Sequence, residues 1–123
     1  MDDEESLRKA VGAMLQQMGH TVEQAAEGGM AIQAYQAAKR GENSFDVVLL
    51  DLTVQGGVGG LETLQALLRF DPAVQAIVMT GYSHDPVLLN PKSHGFKAGL
   101  AKPFNREQLQ KILVEIIPDR PAP

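Results

Sequence analysis

The chain has 123 residues, 44% hydrophobic and 21% charged, the balance of one folded domain with its own core. Its net charge of −4 comes without a basic block or basic–aromatic interleaving, which disfavours direct nucleic-acid binding. The lack of cysteine excludes disulfides, thiolate metal sites and cysteine nucleophiles and fits a cytoplasmic setting, and no apolar run approaches the ~20 residues of a membrane span.

Leu7, Ala10, Val11, Met14, Leu15 and Met18 follow helical spacing, and Gly19 supplies a stop. His20 to Ala25 reads as a modest strand. Gly28-Gly29 opens a second helix with Ala31, Ala34, Tyr35 and Ala38 on one face, closed by Lys39-Arg40-Gly41. Four apolar residues, Val47-Val48-Leu49-Leu50, then lead to Asp51, the pattern of a strand buried on both faces with a carboxylate at its end. A third helix turns Leu61, Leu64, Leu67 and Leu68 inward and ends near Asp71-Pro72. Ala76-Ile77-Val78-Met79-Thr80-Gly81 is another buried strand with a polar end. Asp85-Pro86 is the cap and first residue of a helix that Pro91 keeps short. Ala98-Gly99-Leu100-Ala101 forms a weak strand before Lys102-Pro103-Phe104. The last helix opens on the capping-box pair Asn105 and Gln108, buries Leu109, Ile112, Leu113, Ile116 and Ile117, and stops at Pro118. Alternation of this kind specifies a parallel sheet with helices on both faces. The expected division is a domain over 1–117 and a Pro-rich tail over 118–123.

Asp51, Thr80 and Lys102 each fall just beyond an apolar strand, so the topology brings them to one edge of the sheet. Asp2-Asp3 precedes the first helix, where a strand would deliver carboxylates to the same edge. Carboxylates with a hydroxyl and a lysine suit a hard divalent cation and a phosphoryl group, and an Asp carboxylate can itself be the nucleophile. Asp51-Leu52-Thr53 also touches the aspartyl-phosphate phosphatases of the haloacid dehalogenase type, but that motif needs a second Asp where Thr53 stands. The glycines at 28–29 and 56–60 match neither a dinucleotide fingerprint nor a P-loop and read as turns. His20, His84 and His94 are too scattered for a metal site.

The ordered set Asp2-Asp3-Glu4-Glu5, Val47-Val48-Leu49-Leu50-Asp51-Leu52, the glycine-rich loop before Leu61, Met79-Thr80-Gly81 and Lys102-Pro103-Phe104 resembles a receiver domain of two-component signalling. The resemblance implies a flavodoxin-like three-layer α/β sandwich with strand order 2-1-3-4-5. It makes Asp51 the phosphoacceptor and Thr80 the switch hydroxyl, and it puts Lys102 on the phosphoryl group. Asp2, Asp3 and Asp51 then hold Mg²⁺ with the Thr53 backbone carbonyl. It further implies a cis Lys102–Pro103 bond, a histidine kinase or histidine phosphotransfer domain as partner, and no separate catalytic activity. The segment Gly81-Tyr82-Ser83-His84-Asp85-Pro86, with Gly95-Phe96, resembles receivers at the C-terminus of hybrid sensor histidine kinases. A non-phosphorylated interaction or dimerisation module of the same fold is the alternative.

Three departures from that pattern carry expectations of their own. Only Met1 precedes Asp2, so the first, central strand of the family order is absent or truncated. About five apolar residues at ~1.5–3 kcal/mol each amount to around 10 kcal/mol, comparable with the stability of a whole domain. The expectation is a truncated chain, a homodimer, or a strand supplied or exchanged by a partner, with poor stability of residues 1–123 alone. Gly99 stands three residues before Lys102, where many receivers carry the aromatic switch, leaving Tyr82 as the candidate gate. Finally, the loop Val54-Gln55-Gly56-Gly57-Val58 lacks the usual Met-Pro pair and is expected to be mobile.

Overall fold

The computed structural model describes residues 1–117, and the tail expected at 118–123 lies outside the described residues. Three strands, β1 (Val48–Asp51), β2 (Ala76–Thr80) and β3 (Ala98–Ala101), lie side by side in chain order and run parallel. Leu50 stands opposite Val78, and Val78 opposite Gly99. The helices are α1 (Glu5–Gln17), α2 (Gly28–Arg40), α3 (Gly60–Phe70), the single turn α4 (Pro86–Leu89) and α5 (Arg106–Ile116); a 3₁₀ turn, Pro91–His94, follows α4.

The sheet divides two cores because successive side chains of a strand point to opposite faces. Leu50, Ala76 and Val78 join Tyr35, Leu64, Leu67, Val87 and Phe96 on the face covered by α2, α3 and α4. Leu49, Ile77, Met79 and Leu100 join Val11, Met18, Leu109 and Leu113 on the face covered by α1 and α5. All five residues of β2 are buried, as its unbroken apolar run requires. This is the three-layer α/β sandwich the residues predicted.

Local signals explain the helix ends. Asn105 accepts from the Gln108 N–H while the Gln108 side chain accepts from the Asn105 N–H, completing the capping box of α5. Glu27 caps α2 through the N–H groups of Gly29 and Met30. Asp85 caps α4 through the Val87 N–H, and Pro91 limits that helix to one turn. Gly60 is required at the start of α3, because a Cβ there would lie 2.6 Å from the Asp51 carbonyl oxygen. That close approach sets α3 directly behind the functional end of β1.

The expected strand at His20 to Ala25 is not formed; the segment is irregular. A strand exists only through its neighbours, and here the neighbour is two residues long. The Asp2 N–H donates to the Ala25 carbonyl at 3.1 Å, linking this segment to the residues that precede α1. Ahead of Asp2, Met1 forms a one-residue stub beside β1. The Met1 amino group donates to the Leu49 carbonyl at 2.7 Å, and the Asp51 N–H donates to the Met1 carbonyl at 3.0 Å. Met1 therefore lies against the free edge of β1 and carries Asp2 to the end of the sheet.

Candidate functional site

Each residue of the predicted constellation reaches the C-terminal edge of the sheet through the strand or loop that precedes it. Asp51 ends β1 and Thr80 ends β2, and both are buried, at 4% and 1% exposure. Lys102 follows β3, and its peptide bond to Pro103 is cis. Asp2 is 2% exposed at the end of the Met1 stub, whereas Asp3 faces solvent.

Lys102 Nζ donates to Asp2 Oδ2 and to Asp51 Oδ1, each at 3.2 Å. Carboxylate oxygens of Asp2, Asp3 and Asp51 all lie within 4.8 Å of one another. An ammonium held by two buried carboxylates leaves the trio with excess negative charge, the donor set of a hard oxygen-liganded cation. The residues fit Mg²⁺ on that ground. A cleft of about 750 Å³ opens over them, lined among others by Thr53, Thr80, Tyr82 and Pro103. Thr53 thus borders the same space as the carboxylates.

Electrostatics follow from this crowding. Burial, then the neighbouring Asp2 charge, push the Asp51 carboxyl up to about 6, and the Lys102 contacts offset only part of this. For Lys102, burial pulls the ammonium down, but its bonds to and charge interactions with Asp51 and Asp2 prevail and raise it. Thr80 Oγ1 accepts the Tyr82 N–H at 3.1 Å, so its hydroxyl proton is available to another acceptor.

Sequence reasoning missed the residues that hold the acidic pair. Arg8 of α1 donates to the Asp2 carbonyl at 2.9 Å, and Asp2 Oδ1 accepts the Glu4 N–H at 3.0 Å. Asp3 Oδ2 accepts the Gln55 N–H at 3.2 Å, tying the glycine-rich loop to the site. An arginine six positions beyond an acidic pair carries no signal by itself. Tyr82 lies at the rim of the cleft and is 67% exposed. Gly99 is not an empty position: a Cβ there would meet Leu88 Cδ1 at 2.8 Å and Pro91 Cγ at 3.2 Å. The segment after β2 packs down into the place an aromatic side chain would need.

A family model described as the response regulator receiver domain matches residues 1–114. The chain is 30% identical over 117 residues to the transcriptional regulatory protein ZraR of Klebsiella oxytoca, covering 95% of this chain and 25% of that one. It is 25% identical over 118 residues to the sporulation initiation phosphotransferase F of Bacillus subtilis, covering 96% and 90%. Among solved structures it resembles the receiver domain of the sensor histidine kinase PA1611 of Pseudomonas aeruginosa PAO1, which has a magnesium ion in its active-site cleft. That likeness has a TM-score of 0.78 and 27% identity, and covers 97% of this chain and 94% of the other. The chain spans a quarter or less of the length of ZraR and several other curated relatives.

Proposed function

Because the chain belongs to the response regulator receiver domain family of two-component signalling, we propose that it takes a phosphoryl group from a phosphohistidine onto Asp51. The observation that carries this reading is the buried Asp51 carboxylate set between two further carboxylates and one bridging lysine. An Asp51 oxygen attacks the phosphorus, the phosphorus–nitrogen bond to the donor imidazole breaks, and the imidazole keeps the bonding pair. The product is an acyl phosphate on Asp51. Asp2, Asp3, Asp51 and the Thr53 carbonyl would hold Mg²⁺, which when bound supplies charge neutralisation for the transferring oxygens.

The chain's own groups do the rest. Lys102 moves from bridging two carboxylates to pairing with a phosphoryl oxygen, and Thr80 donates its hydroxyl proton to another. Both shifts pull on segments next to β3 and α4, which gives the modification an effect on the outer surface. The packing of Leu88 and Pro91 over Gly99 supports a coupling that runs through α4 without an aromatic ring. The chain acts as a phosphoacceptor with no separate substrate to turn over. Its partners are a histidine kinase or phosphotransfer domain and whatever output the phosphorylated surface engages. The setting is cytoplasmic.

A second reading, a receiver-like interaction or dimerisation module without phosphorylation, draws support from the thin attachment of Asp2 beside the open edge of β1. The two are separated by incubation with Mg²⁺ and acetyl phosphate followed by intact mass. The phosphoacceptor reading expects a gain of one phosphoryl group that Asp51→Asn and chelation both abolish. A folded protein that gains nothing supports the interaction module.

A further inference from the structure

The loop between β1 and α3 carries the Thr53 carbonyl, a proposed cation ligand, on the flexible sequence Val54-Gln55-Gly56-Gly57-Val58. Its two ends touch. The Gly60 N–H donates to the Leu52 carbonyl at 3.3 Å, and a Cβ on Gly59 would lie 2.7 Å from the same oxygen. Among the described residues, main-chain bonds tie the loop interior to two other places. The Gln55 N–H donates to Asp3 Oδ2 at 3.2 Å, and the Val58 carbonyl accepts from the Gly28 N–H at 3.0 Å. Given the phosphoacceptor reading on which this rests, we infer that the N-terminus of α2 clasps the loop and that Glu27 is a positioning residue for the cation site.

The chemistry of the helix end supports that role. The first N–H groups of a helix have no partner within it. The Gly29 and Met30 N–H groups donate to the Glu27 carboxylate, each at 2.9 Å, whereas the Gly28 N–H is given to Val58. Shorter residues, Ser, Thr, Asp and Asn, are the usual caps and would satisfy the helix alone. The longer Glu27 side chain reaches the loop as well. Hydrogen bonding from Gly29 and Met30, and then from the Val58 N–H, holds its carboxyl below the usual carboxylate range. Both main-chain groups of Val58 thus face the start of α2.

Packing closes the same junction. A Cβ on Gly57 would meet Glu27 Cβ at 3.1 Å and Val54 Cγ1 at 3.4 Å, and one on Gly28 would collide with Thr63 Oγ1. Thr63 Oγ1 in turn donates to the Gly59 carbonyl at 2.7 Å. At the other end of the loop the Leu52 N–H donates to the Met79 carbonyl at 2.8 Å, so residues 53–57 run between two fixed points. A glycine-rich loop loses much backbone freedom when it is ordered around a ligand, and a clasp formed beforehand removes part of that cost.

The test uses the full 123-residue chain, with Mg²⁺ alone as the probe and two variants. Glu27→Ser keeps a helix cap but is too short to reach Val58. Glu27→Gln keeps the reach and loses the charge. Glu27→Ser should bind Mg²⁺ about tenfold more weakly. It should also show faster amide exchange at Val58 in the metal-free protein, with little change in melting temperature. Glu27→Gln should bind Mg²⁺ nearer to wild type than to the serine variant. Equal weakening by both variants would assign the effect to lost charge and overturn the proposal. A wild-type chain that binds no Mg²⁺ would sink the phosphoacceptor reading and the clasp together. Wild-type binding matched by the serine variant, or unchanged exchange at Val58, would overturn the clasp alone.

Discussion

The two edges of β1 differ sharply in their pairing. One edge pairs with β2 in a register of four residues, from Val48 opposite Ala76 to Asp51 opposite Met79. Among the described residues, the other edge is bonded by Met1 through two bonds. The site draws one carboxylate from each kind of support. Asp51 is fixed by a sheet ladder, whereas Asp2 hangs from a stub secured by Ala25, Arg8 and Glu4. The proposed nucleophile, Asp51, belongs to the paired sheet, and the proposed cation ligands Asp2 and Asp3 follow the Met1 stub. Metal affinity and stability are therefore expected to respond to different residues.

The largest expected effect contrasts the packed core with a cavity of about 610 Å³ beside the free edge of β1. Leu67 is fully buried between α3 and the sheet, and Leu67→Ala should cost about 2–5 kcal/mol. Leu15 lines the cavity, so Leu15→Ala removes fewer contacts and should cost less than about 2 kcal/mol. Urea titration at constant slope measures both, and equal losses would break the comparison.

Next in size is the charge conflict at Asp51. Its folded carboxyl is pushed up to about 6, well above the ordinary aspartate range, so the folded state holds a proton that the unfolded chain has lost. Stability of the metal-free protein therefore falls as pH rises from about 4 through 6, and stays lowered above that. Asp51→Asn removes the conflict and should stabilise the metal-free protein by about 1–2 kcal/mol at pH 7.5, the shift being discounted for partial solvent screening. The advantage should vanish near pH 4. An Asn variant no more stable than wild type at pH 7.5 would show that Lys102 already compensates the charge.

A comparable effect is expected at Gly99. Gly99→Tyr places a ring where Leu88 and Pro91 already sit, and should cost about 1–3 kcal/mol through overpacking. A neutral result would mean that α4 is free to move away.

The smallest effect probes the tether. Arg8→Gln removes the charged donor to the Asp2 carbonyl and should weaken Mg²⁺ binding by roughly fivefold, about 1 kcal/mol, with little change in melting temperature. Titration with the metal reads it directly. A large loss of stability with unchanged metal affinity would place Arg8 in the scaffold.

These contrasts also account for what could be read in advance. Asp51, Thr80 and Lys102 were legible because each ends an apolar run, and parallel strands carry such ends to one edge. The capping box of α5 and the short α4 were legible from local residues for the same reason, since caps and prolines act within a turn. The segment 20–25 was not, because its apolar pattern becomes a strand only when a neighbour supplies a ladder. Arg8 was not, because its partner is a main-chain carbonyl and leaves no mark on residue type. The absence of an aromatic at Gly99 was visible, but its occupation by Leu88 depends on how tightly α4 folds down.

The central claim is that Asp51 is the group that carries the phosphoryl. It is tested most directly by treating the Mg²⁺-loaded protein with acetyl phosphate, trapping the acyl phosphate with borohydride and mapping the peptides by mass. Reduction of an acyl phosphate leaves homoserine in place of the aspartate. The account predicts that conversion at Asp51 alone. Conversion at Asp2 or Asp3, or none in a folded metal-bound protein, would contradict it.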